Sequence, residues 1–355
     1  MRIGGSSPYP NFSALQHFPG VELPPDFEPR NVDKRRTARI FKEAIATEPK
    51  HGCLAPLGDG KTCGKTAIKS HTVGLSRELA AIADHDNRVC GAKLKMSAMF
   101  DVGNGSFEDI CVKQASAFPG FCNTHDTEIF RPIDDEPWNG SDQHKFLLAY
   151  RALCNELYAK FTNVESVMPA SIRNAEAAVR DRLIEWNKGE LLGLKESLRD
   201  KHSMDARLLA GDFQCDSHVV SHGVNFPLRV AGIFVPEFDY YDQCLYDLSN
   251  YSKPVHPVSV CTLTTKDDVL GIYVALDDTL ELNKYMKSLR SVTRDDPRAF
   301  FAQSCFENFE QVYFSSVWWN SLRERHRIGI EARFESSGPG NRIHGMTLDP
   351  MFRFI

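Results

Sequence analysis

Four side chains divided between two short turns limit the folds open to this chain. Cys53 and Cys63 stand as C-x9-C around a Gly-Asp-Gly turn, and Cys122 and His125 form a C-x2-H pair. Three thiols and an imidazole are the donors that tetrahedral structural Zn²⁺ takes. The C-x2-H spacing suits a knuckle or a helix start, where two side chains converge over one turn. C-x9-C is long for a knuckle. Scattered buried cysteines are the plain alternative, and Cys90, Cys111 and His51 are substitutes for one member of the set. The stretch around them, residues 51–135, is rich in Cys, His and Gly, with one expected helix from Leu75 to Asp84. A loop-rich stretch of this kind buries little apolar surface by itself, and metal-binding energy then becomes folding energy.

The redox setting matters to that reading. The chain begins Met-Arg-Ile-Gly-Gly-Ser-Ser-Pro, polar and without a charged-then-apolar leader, so it reads as cytoplasmic. Ten cysteines in a reducing compartment are not a disulfide framework. No run approaches the length of a membrane span, so no membrane partner is expected. With 355 residues, of which 42% are hydrophobic, the chain can bury a full core. A net charge of −5 excludes a uniformly basic nucleic-acid-coating protein but leaves room for a local basic site.

Patterning divides the chain into five parts. Residues 1–50 hold a proline-rich arm and an expected helix, Asn31 to Thr47, behind a basic turn at Lys34-Arg35-Arg36. Residues 51–137 form the Cys/His module. Residues 138–210 carry two apolar stripes at helical spacing, one through Phe146, Tyr150, Leu153 and Leu157, the other through Ile172, Ala175, Val179 and Leu183. With Pro169 between them, an antiparallel helical hairpin is expected. Residues 211–335 begin with Val-, Ile- and Phe-rich runs at Phe226–Val235, Val255–Leu263 and Val269–Leu276, read as strands of an antiparallel sheet, and continue into helices at about 280–290 and 297–309. Residues 336–355 are a Gly/Ser/Pro-rich tail. The expected class is α+β.

The order of these features resembles a zinc-bearing HNH nuclease, of the ββα-metal group built on a treble clef. That family reads as a Cys pair, a strand ending in His, a loop or insertion, and a second Cys pair opening a helix. Cys53 and Cys63 match the first pair and Cys122 opens the second, with His125 where the family usually has Cys. His71 stands where the family keeps its general base. The resemblance implies that His71 deprotonates water for attack on a phosphodiester while a divalent ion such as Mg²⁺ stabilises the leaving oxygen. The ion needs a ligand from the final helix, and Asp126 is the candidate by position. Ser70 departs from the acidic residue or His that often precedes the base, and the interval from His71 to Cys122 is long for the family. The wider chain, about residues 50–325, is similar to a group of bacterial proteins most of which have no established activity. The shared wording is Ser-His-Thr, Ala115 to Asp126, Phe234-x-Pro-Glu-Phe-Asp239 and Phe314-Ser-x-x-Trp-Trp319. Some bacterial HNH-type proteins act in phage defence, which extends to this chain by association only.

Local charge bears on a nucleic-acid partner. Between residues 61 and 95, Lys61, Lys65, Lys69, Arg77, Arg88, Lys93 and Lys95 against Glu78, Asp84 and Asp86 leave a net charge of +4. A basic flank is what a phosphodiester substrate needs, and an ordinary solvated face is the plain alternative. Asp134-Asp135-Glu136 would repel phosphates if close by. Other signals carry less. Gly58-Asp-Gly60-Lys61-Thr62 imitates a phosphate loop but has Ala55 where the pattern needs Gly. Cys215-x2-His218-x3-His222 has metal-like spacing, but on a strand the two histidines lie roughly 13 Å apart, so they read as structural. Trp318-Trp319 reads as core packing. No Gly-x-Ser-x-Gly elbow supports a serine nucleophile.

The expectation is an endonuclease-type module with structural zinc on Cys53, Cys63, Cys122 and His125, with His71 as base and Asp126 on the catalytic ion. The C-terminal part would supply recognition of substrate, of a protein partner or of a second copy. The alternative, from another class, is a non-catalytic zinc-stabilised scaffold that binds nucleic acid or protein, in which His71 merely packs.

Overall fold

The computed structural model describes residues 52–58, 60–92, 107–174, 177–248, 253–293 and 296–336, with Leu348 and Phe352. The expected N-terminal arm, the helix Asn31 to Thr47, His51, Lys93, Lys95 and most of the 336–355 tail lie outside the described residues.

The protein is α+β, with antiparallel sheets. Strands β1 (Ile68–His71) and β4 (Ala117–Phe121) pair with each other, Ile68 opposite Phe121 and His71 opposite Ala117. The second sheet has seven strands in the order β3-β2-β9-β6-β7-β8-β5. These are β2 (Arg88–Ala92), β3 (Phe107–Cys111), β5 (Ser217–Ser221), β6 (Leu228–Phe234), β7 (Val258–Thr264), β8 (Val269–Ala275) and β9 (Val312–Phe314). The 51–137 stretch is therefore shared between the two sheets: β1 and β4 stay together, while β2 and β3 join the C-terminal strands through β9.

The uninterrupted apolar runs of the C-terminal half follow from burial on both faces. In β8, Leu270, Ile272 and Val274 point into one core, and Val269, Tyr273 and Ala275 into the other. A strand covered on both sides alternates which core it feeds rather than apolar with polar. Helices α5 (Leu280–Val292) and α6 (Pro297–Asn308) contribute Leu282, Tyr285, Met286, Phe301 and Phe306 to the second core. The first core belongs to α2 (Asp142–Thr162). Phe146, Leu147, Ala149, Tyr150, Ala152 and Leu153 are all buried there, so α2 is apolar nearly all round, as a helix covered on several sides must be. One side meets β6 and β7, and another meets β4 and α1 (Asn123–Asp134).

The helical hairpin is present, α2 packing along α4 (Ala177–Ala210). The described residues between them, 163–174, are helical. A π-helical turn, Asn163–Val167, leads into the short α3 (Met168–Asn174). Pro169 follows the π-helical turn inside a helical run that is continuous from Asp142 to Asn174, so the expected break between the two stripes does not fall at this proline. Helix starts carry their expected caps: Ser141, Thr279, Asp296 and Ser315 each accept from a first-turn amide. Two short helices, α7 (Ser316–Ser321) and α8 (Glu324–Ser336), follow β9. Trp318 and Trp319 on α7 lie half-buried against Phe314, at 5.6 and 5.0 Å between ring centres.

Candidate metal centre and the histidine beside it

Cys53 and Cys63 lie on the two limbs of a hairpin. Its rungs are the Cys53 N–H to Lys65 carbonyl, the Cys63 N–H to Ala55 carbonyl and the Gly64 N–H to Cys53 carbonyl bonds, at 2.7, 2.8 and 3.0 Å. The limbs touch so closely at Gly52 that a Cβ there would stand 2.7 Å from the Gly64 carbonyl oxygen, and Gly64 itself has a φ of +64°. Both positions therefore need glycine. The Leu54 N–H donates to the Gly120 carbonyl at 2.8 Å, which fastens the hairpin to β4. Behind it, the fully buried Lys201 ammonium of α4 donates to the Leu54 carbonyl at 2.9 Å and pairs with Asp205. Cys122 follows β4 directly and stands at the N-cap position of α1, and His125 occupies the first turn of that helix.

These elements bring all four predicted ligands together. One donor atom from each of Cys53, Cys63, Cys122 and His125 lies within 4.8 Å of every other. The Cys53 and Cys122 sulfurs both stand 3.5 Å from His125 Nδ1. A zinc tetrahedron with Zn–S of about 2.3 Å and Zn–N of about 2.0–2.1 Å has an S–N edge of about 3.5 Å, so the donor set fits the ion in type and in size. Burial pushes the Cys53 thiol up to about 12. At Cys122 burial acts the same way, but the amides of His125 and Thr124 and the neighbouring thiols outweigh it and hold the group below the ordinary thiol value. A group of three cysteines, two buried and Cys63 half-buried, with one thiol held low is suited to a cation.

His71 closes β1, and Asp126 follows His125 on α1. Burial lowers the His71 imidazole below its ordinary value. The Lys113 backbone carbonyl accepts from the ring and opposes that shift, Arg151 lowers it further, and Asp126 raises it. His71 Nε2 and Asp126 Oδ1 are both buried without a hydrogen-bond partner, as are Ser70 Oγ and Arg151 Nε. Unpartnered buried polar atoms are rare in folded proteins, and Asp126 and Arg151 lie near enough to His71 to act on its charge, while Ser70, next to His71 in the strand, faces the other side of β1. Arg151 is held by paired contacts to the Asp134 carboxylate and lies 4.1 Å over the Phe130 ring. The acidic stretch that threatened to repel phosphates is thus neutralised at its first residue. Arg151 escaped the sequence reading because it stands on the apolar stripe of α2. A charge on a helix that is otherwise buried all round was the available signal.

The remaining signals resolve differently. Glu78, counted as part of a solvated charged face, is buried against Arg229 of β6. Lys61, Lys65, Lys69, Arg77 and Arg88 are exposed. Cys215, His218 and His222 do not form a group: His218 Nε2 meets Thr293 Oγ1 at 2.8 Å, and His222 stacks on Phe226 at 4.4 Å. Cys90 faces Asp109 rather than the metal centre. Among the described residues, no helix is long and apolar enough to cross a membrane. No protein-family model matches the chain, and neither a curated protein nor a solved structure matches it significantly.

Proposed function

We propose that this chain is a metal-dependent endonuclease of HNH-like type, with a treble-clef arrangement around structural zinc on Cys53, Cys63, Cys122 and His125. One observation carries the reading. His71 Nε2 and Asp126 Oδ1, orphaned and buried, belong to β1, which pairs with β4, and to α1, whose first turn carries the cluster's His125. The antiparallel pair β1 and β4, with α1 directly after β4, supplies the two strands and helix of such a site, although β2 and β3 intervene in sequence and join the other sheet.

In this reading His71 is the general base. Its lowered pKa keeps the imidazole neutral at neutral pH, and the Lys113 carbonyl accepts from the ring and leaves Nε2 as the free lone pair. Asp126 is the residue that would hold a divalent cation such as Mg²⁺, which supplies charge stabilisation for the phosphodiester oxygens when bound. Lys61, Lys65 and Lys69, exposed along the same hairpin and strand, favour a polyanionic substrate. The strands and helices beyond residue 211 would contribute recognition of substrate or partner.

A second reading rests on the closure of Nε2 to solvent. A zinc-stapled scaffold that binds nucleic acid or protein, with His71 as packing, also accommodates it. The two separate by assay of DNA and RNA cleavage with Mg²⁺ and with Mn²⁺. The nuclease reading expects nicking by the wild type and its loss in His71→Ala, with zinc content and melting temperature retained. No cleavage by the wild type under any divalent ion overturns it in favour of the scaffold.

A further inference from the structure

The segment that aims the His71 ring is itself anchored by the distant strand β9. Ser116 precedes β4 in a left-handed conformation, φ 55°, which is uncommon outside glycine. Its carbonyl accepts from the Thr72 N–H at 3.0 Å and from the Thr72 hydroxyl at 3.3 Å. Its hydroxyl accepts from the Val73 N–H at 3.2 Å and donates to the Val73 carbonyl at 3.1 Å. Thr72 and Val73 follow His71 directly, so Ser116 grips the chain immediately beyond the imidazole. The turn that leads into Ser116 also holds Lys113, whose carbonyl accepts from the His71 ring.

The left-handed residue turns its own N–H away from the β1–β4 pairing. That N–H donates at 2.8 Å to the hydroxyl oxygen of Tyr313. Tyr313 is buried at the middle of β9, opposite Gly91 of β2 and Arg229 of β6. Its ring runs over Gly91, where a Cβ would lie 3.0 Å from the ring. The reach of the tyrosine across β2 is therefore built into the sheet.

We propose that Tyr313 is a positioning residue for His71. Through Ser116 its hydroxyl fixes the 113–116 turn, and that turn fixes which ring nitrogen of His71 carries the proton and where Nε2 points. The assignment as a positioning residue for catalysis rests on the nuclease reading; the control of ring geometry does not.

The test uses the full-length protein with ¹⁵N-labelled histidine, and His71→Ala identifies the His71 signals. In the wild type, long-range NMR correlations are expected to show one tautomer, protonated at Nδ1, as the bond to Lys113 requires. Tyr313→Phe removes only the acceptor for the Ser116 N–H. It is expected to give a mixed tautomer at His71 while the other histidine signals stay in place. In a cleavage assay it should lower kcat about tenfold or more with KM unchanged, since misplacement of a base costs rate rather than binding. Ser116→Ala keeps the amide bond to Tyr313 but loses the hydroxyl grip on Val73, and is expected to shift the tautomer in the same direction by less; it serves if Tyr313→Phe does not fold. An unchanged single Nδ1–H tautomer in the folded variants overturns the proposal. A changed tautomer in a protein that cuts no nucleic acid upholds the positioning and sinks the nuclease reading instead.

Discussion

Glu78 and Arg229 meet at 3.1 Å in the interior, with 5% and 1% of their side chains exposed. Glu78 comes from the helical turn after His71 and Arg229 from β6, so the pair joins the Cys/His half of the protein to the large sheet. The Glu78 carboxylate also accepts from the Thr264 amide and from its hydroxyl. Burial nonetheless raises the carboxyl above its ordinary value, against the pull of Arg229. A buried pair of this kind gains little net stability over an apolar one, but removing one partner strands a charge. Arg229→Met is expected to cost about 3–5 kcal/mol in urea unfolding. Glu78→Gln combined with Arg229→Met should recover part of that loss, because the amide still accepts from Thr264 and no charge is left. Additive losses would show that the two residues are not coupled.

The metal centre predicts a different pattern. Cys122→Ser should reduce bound zinc from about one ion per chain to none and lower the melting temperature, as should prolonged dialysis against a strong chelator. Elemental analysis and a thermal melt check both. Cys90→Ser, which lies outside the donor group, should keep its zinc. Full zinc in the Cys122 variant would refute the four-ligand set.

Much of this site was legible because metal ligands are few in type and must converge. Cys53, Cys63, Cys122 and His125 are the expected set, although C-x9-C is long for a knuckle and Cys90, Cys111 and His51 stand as substitutes, and the structure brings those four together. The strands at Phe226–Val235 and Val269–Leu276 and the helical hairpin were legible for a similar reason: their periodicity is set by local geometry. What could not be read was pairing at long range. Nothing in Arg88–Ala92 says that it lies beside β9, because strand order is decided by which faces remain to be covered. The role of Ser116 was equally hidden, since it acts through its backbone amide and an unusual φ. Glu78 misled because a charge beside exposed neighbours looks solvated until its buried partner is known.

Gly271 tests how tightly the second core is built. It lies in β8, and a Cβ there would stand 2.4 Å from the Phe301 ring and 2.6 Å from His222 Nε2. Neither ring can retreat easily, because both are buried and in contact with Phe226. Gly271→Ala is expected to destabilise by about 1–3 kcal/mol, the usual cost of overpacking. Equal urea midpoints for variant and wild type would mean that the Phe301 side of the core is softer than its packing implies.

The same packing gives stability a dependence on pH. His222 is buried between Phe226 and Phe301, and burial lowers its pKa to about 3, which the attraction of Asp268 opposes only weakly. In the unfolded chain the imidazole titrates near its ordinary value, about 6.5. Between those two values the unfolded state binds the extra proton, so stability rises with pH there. His222 therefore contributes its full share above about pH 6.5, and that share is lost as pH falls toward 3. His71, His144, His218 and His256 are lowered in the same direction by burial and add to the slope. Acid release of a bound metal would add to it again, but equally in wild type and variant. His222→Phe keeps an aromatic ring in the stack and has no proton to take up. Urea unfolding at pH 7, 5 and 4 should show the variant losing less stability on acidification than the wild type. Parallel losses in the two proteins would mean that His222 is not held neutral in the folded state.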